Sequence, residues 1–493
     1  MMVLYGVLAI PLLSALILAR FGHHRYAAGF NVAAAGAGFI ASIGLAIQVL
    51  QQGHVGLITS QFYIDSFNVY LIVLTAWVGT TTALFSWPYM QQERQHRHLS
   101  ALRMRLYHAS YQGFLLTMQI ALATNNLGVL WVALEGATLA TVLLVSLYRT
   151  PESIEAAWKY FIICGVGIAL ALFGTVLLYF AAQEIANPQQ GLLWAVLMNH
   201  ASELKPVVMG LAFVFLLVGY GTKVGLVPMH TWLPDAHSEG PTPMSAVLSG
   251  LLLNVALYAL VRVKMIVDGA LASGTVHSPH LAGQLMMGFG LLSFLVASLM
   301  LHRQRDIKRL FSYSSIEHMG LMTFGFGLGG PLATFGALLH MTVHSLTKSA
   351  IFMSVGHASH IAKTQSIDHI RGLLDTQPAV GWALILGTVA IAGLPPFGVF
   401  TSEFLLLSAT LEQHPSLAPI LAIGLVIAVA GLFRHLQRMV YGPAPHDQQP
   451  VKVNGWPIYI HLALVLWLGL YIPTFLANWF NQATFLITGS HLL

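Results

Sequence analysis

The sequence predicts an all-α polytopic membrane protein of about fourteen transmembrane helices, two of them broken. Three observations carry this reading. Of 493 residues 56% are hydrophobic and only 8% charged, with a mean hydropathy of +0.73, whereas soluble domains carry roughly 25% charged residues. Apolar stretches near the ~20 residues that cross a bilayer recur along the chain. Finally, KVGLVPMHTWLPDAHSEGPTP (223–243) places Lys223 at the end of an apolar run and then interrupts that run with Pro228 and Pro234. Proline cannot donate a helical hydrogen bond, and a broken segment at membrane depth is tolerated only where it is buried or lines a wet cavity.

In order, the apolar stretches fall at about 2–20, 27–50, 67–90, 107–124, 126–148, 156–182, 207–228, 243–267, 281–301, 310–329, 332–356, 378–411, 416–440 and 456–480. The first has no charge before its apolar run and no small-residue cleavage site after it, so it reads as a retained helix and not as a signal peptide. The seventh is broken at Pro228. The twelfth is long and is interrupted at Gly393-Leu394-Pro395-Pro396, the counterpart of Gly225-Leu226-Val227-Pro228 five helices earlier. An odd offset makes the two copies run in opposite directions, the inverted-repeat arrangement in which discontinuous helices mark a transport site. The fourteenth reads as one continuous helix.

The basic residues fix an orientation. With both termini outside, sixteen of the 22 Lys and Arg fall in the connections predicted to be cytoplasmic, among them Arg94, Arg97, Arg103 and Arg105 in QQERQHRHLSALRMR. Lys205, Arg262 and Lys264 fall on the opposite side, and Lys159, Lys223 and Lys348 lie within helices. This bias follows the positive-inside rule. It accounts for the net charge of +5 without a nucleic-acid partner, and QQERQHRHLSALRMR reads as a solvated loop beside anionic lipid. The single cysteine, Cys164, rules out an internal disulfide and a cysteine-ligated iron–sulfur cluster carried by this chain alone. There is no phosphate loop, no GxGxxG following a strand and no CxxC. Neither a cofactor nor a metal is expected.

A charge at the bilayer centre costs about 2.5–3.5 kcal/mol on insertion scales, so each one needs a reason. Glu135 sits near the middle of the fifth helix, either as a hydrogen-bonded packing carboxyl or as a proton carrier and counter-ion. Lys223 is its natural partner. Burial disfavours the ammonium and a neighbouring carboxylate favours it, so moving that carboxylate can load and unload a proton. Lys159, near the start of the sixth helix, is poised between this role and simple snorkelling. His340, His344 and Lys348 are spaced by four residues. Such steps keep all three within roughly 80° on one helix face spanning about 12 Å, a stripe suited to passing protons. Its His-x-x-x-His spacing also fits a metal, but no third ligand is evident in sequence. Glu317 and His318 precede the stripe, and Glu403 follows the second break. His357 and His360 read as interfacial.

Together these segments look familiar. AAWKYF (156–161), KVGLVPMHTWLPDAHSEGPTP (223–243), QRDIKRLFSYSSIEHMG (304–320), HSLTKSAIF (344–352) and AGLPPFGVFTSEF (392–404) resemble the proton-translocating, antiporter-like membrane subunits shared by respiratory complex I, Mrp-type cation/proton antiporters and group 4 membrane-bound hydrogenases. Within that superfamily the chain is most similar to the hydrogenase-4 component F branch. The resemblance implies N-terminal helices 1–3 (1–106), two inverted five-helix bundles (helices 4–8, 107–268, and helices 9–13, 281–440) and a C-terminal helix (456–493). It implies a Glu135–Lys223 pair, a hydrophilic axis through His340, His344 and Lys348, and a terminal charge at Glu403. In many complex I members the eighth helix carries a lysine where this chain has Asn254, so either water, His230 or His237 bridges the bundles or coupling through this subunit is weakened. The expected role is a non-catalytic proton-moving subunit in a bacterial inner membrane. Its expected partners are other membrane subunits and a peripheral redox arm. An antiporter or ion-driven uptake subunit without a redox partner is the alternative.

Overall fold

The computed structural model describes residues 2–272, 280–443 and 454–492; Lys452, counted above among the basic loop residues, lies outside them. Among the described residues the regular structure is helical, joined by turns and loops with isolated bridges such as Val55 to Ile64. Helices α1 to α6 are Met2–Phe21, Ala27–Gln52, Ser66–His96, Ala101–Ala123, Leu127–Val145 and Pro151–Ala182. The seventh comes in two pieces, α7a (Pro206–Val224) and α7b (Trp232–Glu239). The eighth, α8 (Thr242–Ala272), contains a π-helical turn at Leu248–Leu252. Then follow α9 (Leu281–Leu301), α10 (Ile307–Leu328), α11 (Gly330–Ala362), α12a (Pro378–Ile391), α12b (Gly398–Gln413), α13 (Ala418–Tyr441), α14a (Trp456–Leu470) and α14b (Thr474–Thr488).

Every predicted stretch coincides with a helix or a helix pair. Among the described residues nine helices are long and apolar enough to cross a membrane, or ten if the bent C-terminal pair is one span. The helices that fail that test fail for a reason. Helices α10 and α11 carry Glu317, His318, His340, His344 and Lys348 and are buried along almost their whole length. Apolar α1 buries little and faces outward. Polar side chains thus sit in the middle of the bundle, where other protein groups can replace water. Helices α9 and α10 touch through glycine: a Cβ on Gly290 would come within 2.7 Å of the Gly320 carbonyl, and one on Gly320 within 2.6 Å of the Phe294 nitrogen. Such close backbone approach supplies the dispersion contact that holds helices together in lipid.

The two breaks close in the same way. At the first, Gly225 is left-handed (φ 85°), its N–H reaches Thr222 O at 3.2 Å, and Leu226 N–H reaches Gly221 O at 2.9 Å. At the second, Gly393 has φ 63°, with Gly393 N to Ala390 O at 3.2 Å and Leu394 N to Val389 O at 3.3 Å. This pattern of a left-handed glycine and paired bonds back to the last turn satisfies the carbonyls that a helix end exposes. The first break gains two more partners. Trp232 Nε1 donates to Thr222 O at 2.9 Å, and Ser293 Oγ on α9 accepts from Val227 N at 2.9 Å.

The fourteenth stretch departs from expectation. Instead of one helix it forms α14a and α14b, bent by 79°. Pro473 removes a donor and forces the residue before it out of the helical region. The bend lets Trp479 Nε1 donate to Ser66 O at 2.8 Å, tying α14b to the start of α3.

Candidate functional site

The first cluster forms where α7a ends. Lys223, in the last turn, is completely buried, and its ammonium lies 3.4 Å from Glu135 Oε2 on α5. Thr138, one turn further along α5, accepts a hydrogen bond from Lys223 Nζ. Behind it Thr141 Oγ1 lies 2.7 Å from the Tyr160 hydroxyl, and the Tyr160 ring stacks on Trp232 at 4.4 Å. The expected pair is therefore present, with a hydroxyl alongside to share the load. Lys159 is not part of it. Its Nζ bonds Asp235 Oδ2 at 2.5 Å, and Asp235 Oδ1 lies 2.8 Å from Arg309, so Asp235 ties α6, α7b and α10 together.

The second cluster collects residues from α10, α11 and α12b. His318 Nδ1 and His340 Nε2 are 3.0 Å apart, and His340 Nδ1 is 2.9 Å from Ser402 Oγ. Glu403 Oε1 stands 3.8 Å from His318 Nδ1, and Glu317 Oε2 stands 3.9 Å from His318 Nε2. His344 packs its ring 5.6 Å from that of His318. All these side chains are buried. Among the described residues neither ring nitrogen of His344 has a hydrogen-bond partner, nor does Glu317 Oε2. Lys348 Nζ donates to Phe311 O at 3.1 Å. Its ammonium thus rests on a backbone dipole and not on a bonded carboxylate. Among the described residues the group with metal-like convergence is His318, His340 and Glu403, one ligand atom from each within 4.8 Å of the others. The sequence spacing pointed instead to His340 and His344.

Hydroxyls and an amide join α8 to the helices of the second cluster. Asn254, just beyond the π-helical turn of α8, donates from Nδ2 to Ser345 Oγ at 2.7 Å and to Met341 O at 3.2 Å, reaching α11. Ser345 Oγ donates in turn to Gly250 O at 2.6 Å, and Ser249 and Ser315 are 2.7 Å apart. A π-turn leaves carbonyls loosely satisfied and recurs at functional sites. His237 on α7b is fully buried against Phe352 at 4.7 Å, with neither nitrogen bonded; His230 is half-buried near Tyr313.

Two groupings have no signature in the sequence. Asp65, the N-cap of α3, holds Arg262 of α8 through two 2.7 Å bonds, with the guanidinium 4.1 Å from the Trp194 ring. Glu93, at the far end of α3, lies 2.6 Å from His360 Nε2. His360 is stacked on Tyr89 and His357 is buried against Phe85. His357 is thus packed inside the protein, contrary to the interfacial reading, whereas His360 is half-buried and lines a cavity with Glu93. Each of these partners is too distant in sequence for spacing to reveal the pair.

Fold and site together define a polytopic helical membrane protein with a buried cluster of titratable side chains beside each of two broken helices. The chain belongs to the NADH:quinone oxidoreductase/Mrp antiporter transmembrane family, which it matches over residues 124–429. It is 46% identical over 485 residues to a hydrogenase-4 component F homolog of Methylacidiphilum infernorum, covering 98% of this chain and 99% of that protein. It is 32% identical over 355 residues to NADH-quinone oxidoreductase subunit N of Desulforudis audaxviator, covering 71% and 67%. Among solved structures it superposes on a chain of the membrane-bound sulfane sulfur reductase, an archaeal respiratory membrane complex, with a TM-score of 0.89 at 23% identity over 99% and 98% of the chains.

Proposed function

We propose that this chain is a proton-translocating membrane subunit of a redox-driven complex related to complex I, of the hydrogenase-4 kind. It would work beside other membrane subunits and be driven by a peripheral redox arm that holds the electron-transfer chemistry. The observation that carries this reading is the pair of buried clusters, one beside each helix break, with hydroxyls and Asn254 tying α8 to the second of them. In the proposed cycle Glu135 swings toward or away from Lys223. Without its counter-ion a buried ammonium is costly, and the proton passes by way of Thr138 and the serine-lined centre to Lys348. The imidazoles of His344, His340 and His318 then hand it to Glu403, each holding it in turn. Two inverted five-helix bundles, residues 107–268 and 281–440, would each house one cluster, with residues 1–106 and 456–493 flanking them. By the positive-inside rule both termini would face the periplasm of a bacterial inner membrane.

The test is proton uptake by inverted vesicles carrying the assembled complex. Lys223→Ala and Glu135→Ala are expected to abolish translocation while the complex still assembles, and full pumping by either would contradict the proposal. Dependence of transport on sodium, with no redox partner, would point to the antiporter alternative.

A further inference from the structure

We propose that the cavity at the end of α3 is the aqueous mouth of the axis, and that Glu93, with His360, accepts the proton there; this rests on the proton-translocating reading above. The cavity holds about 630 Å³ and is lined, among others, by Glu93, His360, Lys308, Ser238 and Glu239, drawn from α3, α7b, α10 and α11.

Glu93 is only 4% exposed, an unusual placement for a carboxylate whose sole task is to tie down a surface loop. One oxygen is 2.6 Å from His360 Nε2, the other 3.1 Å from Arg97 Nε. The acid is thus held between a fixed cation and an imidazole that can take or give a proton. The His360 ring lies parallel to Tyr89 at 4.2 Å, and the Tyr89 hydroxyl is 3.0 Å from Thr242 Oγ1 at the start of α8. Behind the mouth, buried Lys308 donates to Gly240 O at 2.9 Å, at the end of α7b. His237, on the same short helix, is fully buried with both ring nitrogens unpartnered among the described residues, and it stacks on Phe352, one turn beyond Lys348 on α11. An unbonded buried imidazole is expensive unless it has a task, and here it stands between the cavity and the second cluster. Helix α3 lies outside both proposed bundles, so this assignment gives the N-terminal helices a part in the proton path.

The experiment compares proton uptake per electron transferred, in vesicles with the assembled complex, for Glu93→Gln, Glu93→Asp, His360→Gln and Lys223→Ala. Glu93→Gln and His360→Gln are expected to lower uptake per electron by roughly a hundredfold or more, the scale of losing a proton-transfer group, while Glu93→Asp retains most of it. If Glu93→Gln and His360→Gln pump at the wild-type rate while Lys223→Ala does not, the mouth is elsewhere and the relay stands. If Lys223→Ala also pumps, the relay itself falls. A second measurement serves if the Glu93 variants do not assemble. In a Glu239→Cys complex, a membrane-impermeant maleimide added on the side of the 91–105 loop should label the cysteine rapidly, and protection from it would overturn the aqueous mouth.

Discussion

At Lys223 a buried ammonium, a carboxylate at 3.4 Å and a threonine hydroxyl share one site. The pair could be named from sequence because a lysine beside a helix break has little to gain from packing, and Glu135 was the one carboxylate deep in a neighbouring helix. Thr138 could not, since a threonine in an apolar helix ordinarily bonds its own backbone, as Thr138 also does to Leu134 O at 3.1 Å. The same limit applies to Ser402 and Ser345, whose roles arise only when three helices meet. Lys223→Arg is expected to assemble and yet to translocate poorly, because a guanidinium keeps its proton under all accessible conditions and holds a carboxylate in a fork. Proton uptake by vesicles checks this, and wild-type uptake would mean that Lys223 serves as a fixed charge.

At the scale of elements, the breaks in the seventh and twelfth helices were legible because glycine followed closely by proline leaves a helix few ways to continue. The bend at Pro473 was not, since a lone proline in an apolar run either kinks a helix or ends it, and the docking of Trp479 on α3 decides between them. The second break also carries a steric requirement. A side chain at Gly393 would have to adopt φ 63°, and its Cβ would run into the Glu403 carboxylate. Gly393→Ala is therefore expected to cost about 1–2 kcal/mol for the left-handed backbone alone and to displace Glu403 as well. Lower thermal stability of the complex, together with reduced proton uptake, is the predicted outcome. Unchanged values for both would show that the break tolerates a side chain.

For the molecule as a whole, composition and the spacing of apolar runs were enough to place the helices, and the stripe of His340, His344 and Lys348 was legible as one helix face, which the structure buries. Which ends of which helices meet depends on packing between residues far apart in the chain. Asp65 and Arg262 are separated by 197 positions and Glu93 and His360 by 267, so neither pair leaves a local pattern. Arg262→Met should test the first of these contacts. It strands Asp65 without its partner in a buried site, a change worth roughly 3–5 kcal/mol, and is expected to lower the thermal stability of the complex while surviving complexes pump normally. A drop in proton uptake per assembled complex would instead place the Asp65–Arg262 pair on the proton path.

In the proposed function, protons cross through an axis running from Lys223 past Asn254 to Lys348 and Glu403. Proton uptake per electron in vesicles containing Lys348→Ala is the most direct test, because Lys348 is completely buried, lies in the second cluster and bonds no carboxylate. Electron transfer that continues with little or no proton uptake is the predicted result. Undiminished uptake by the assembled Lys348→Ala complex would contradict the axis.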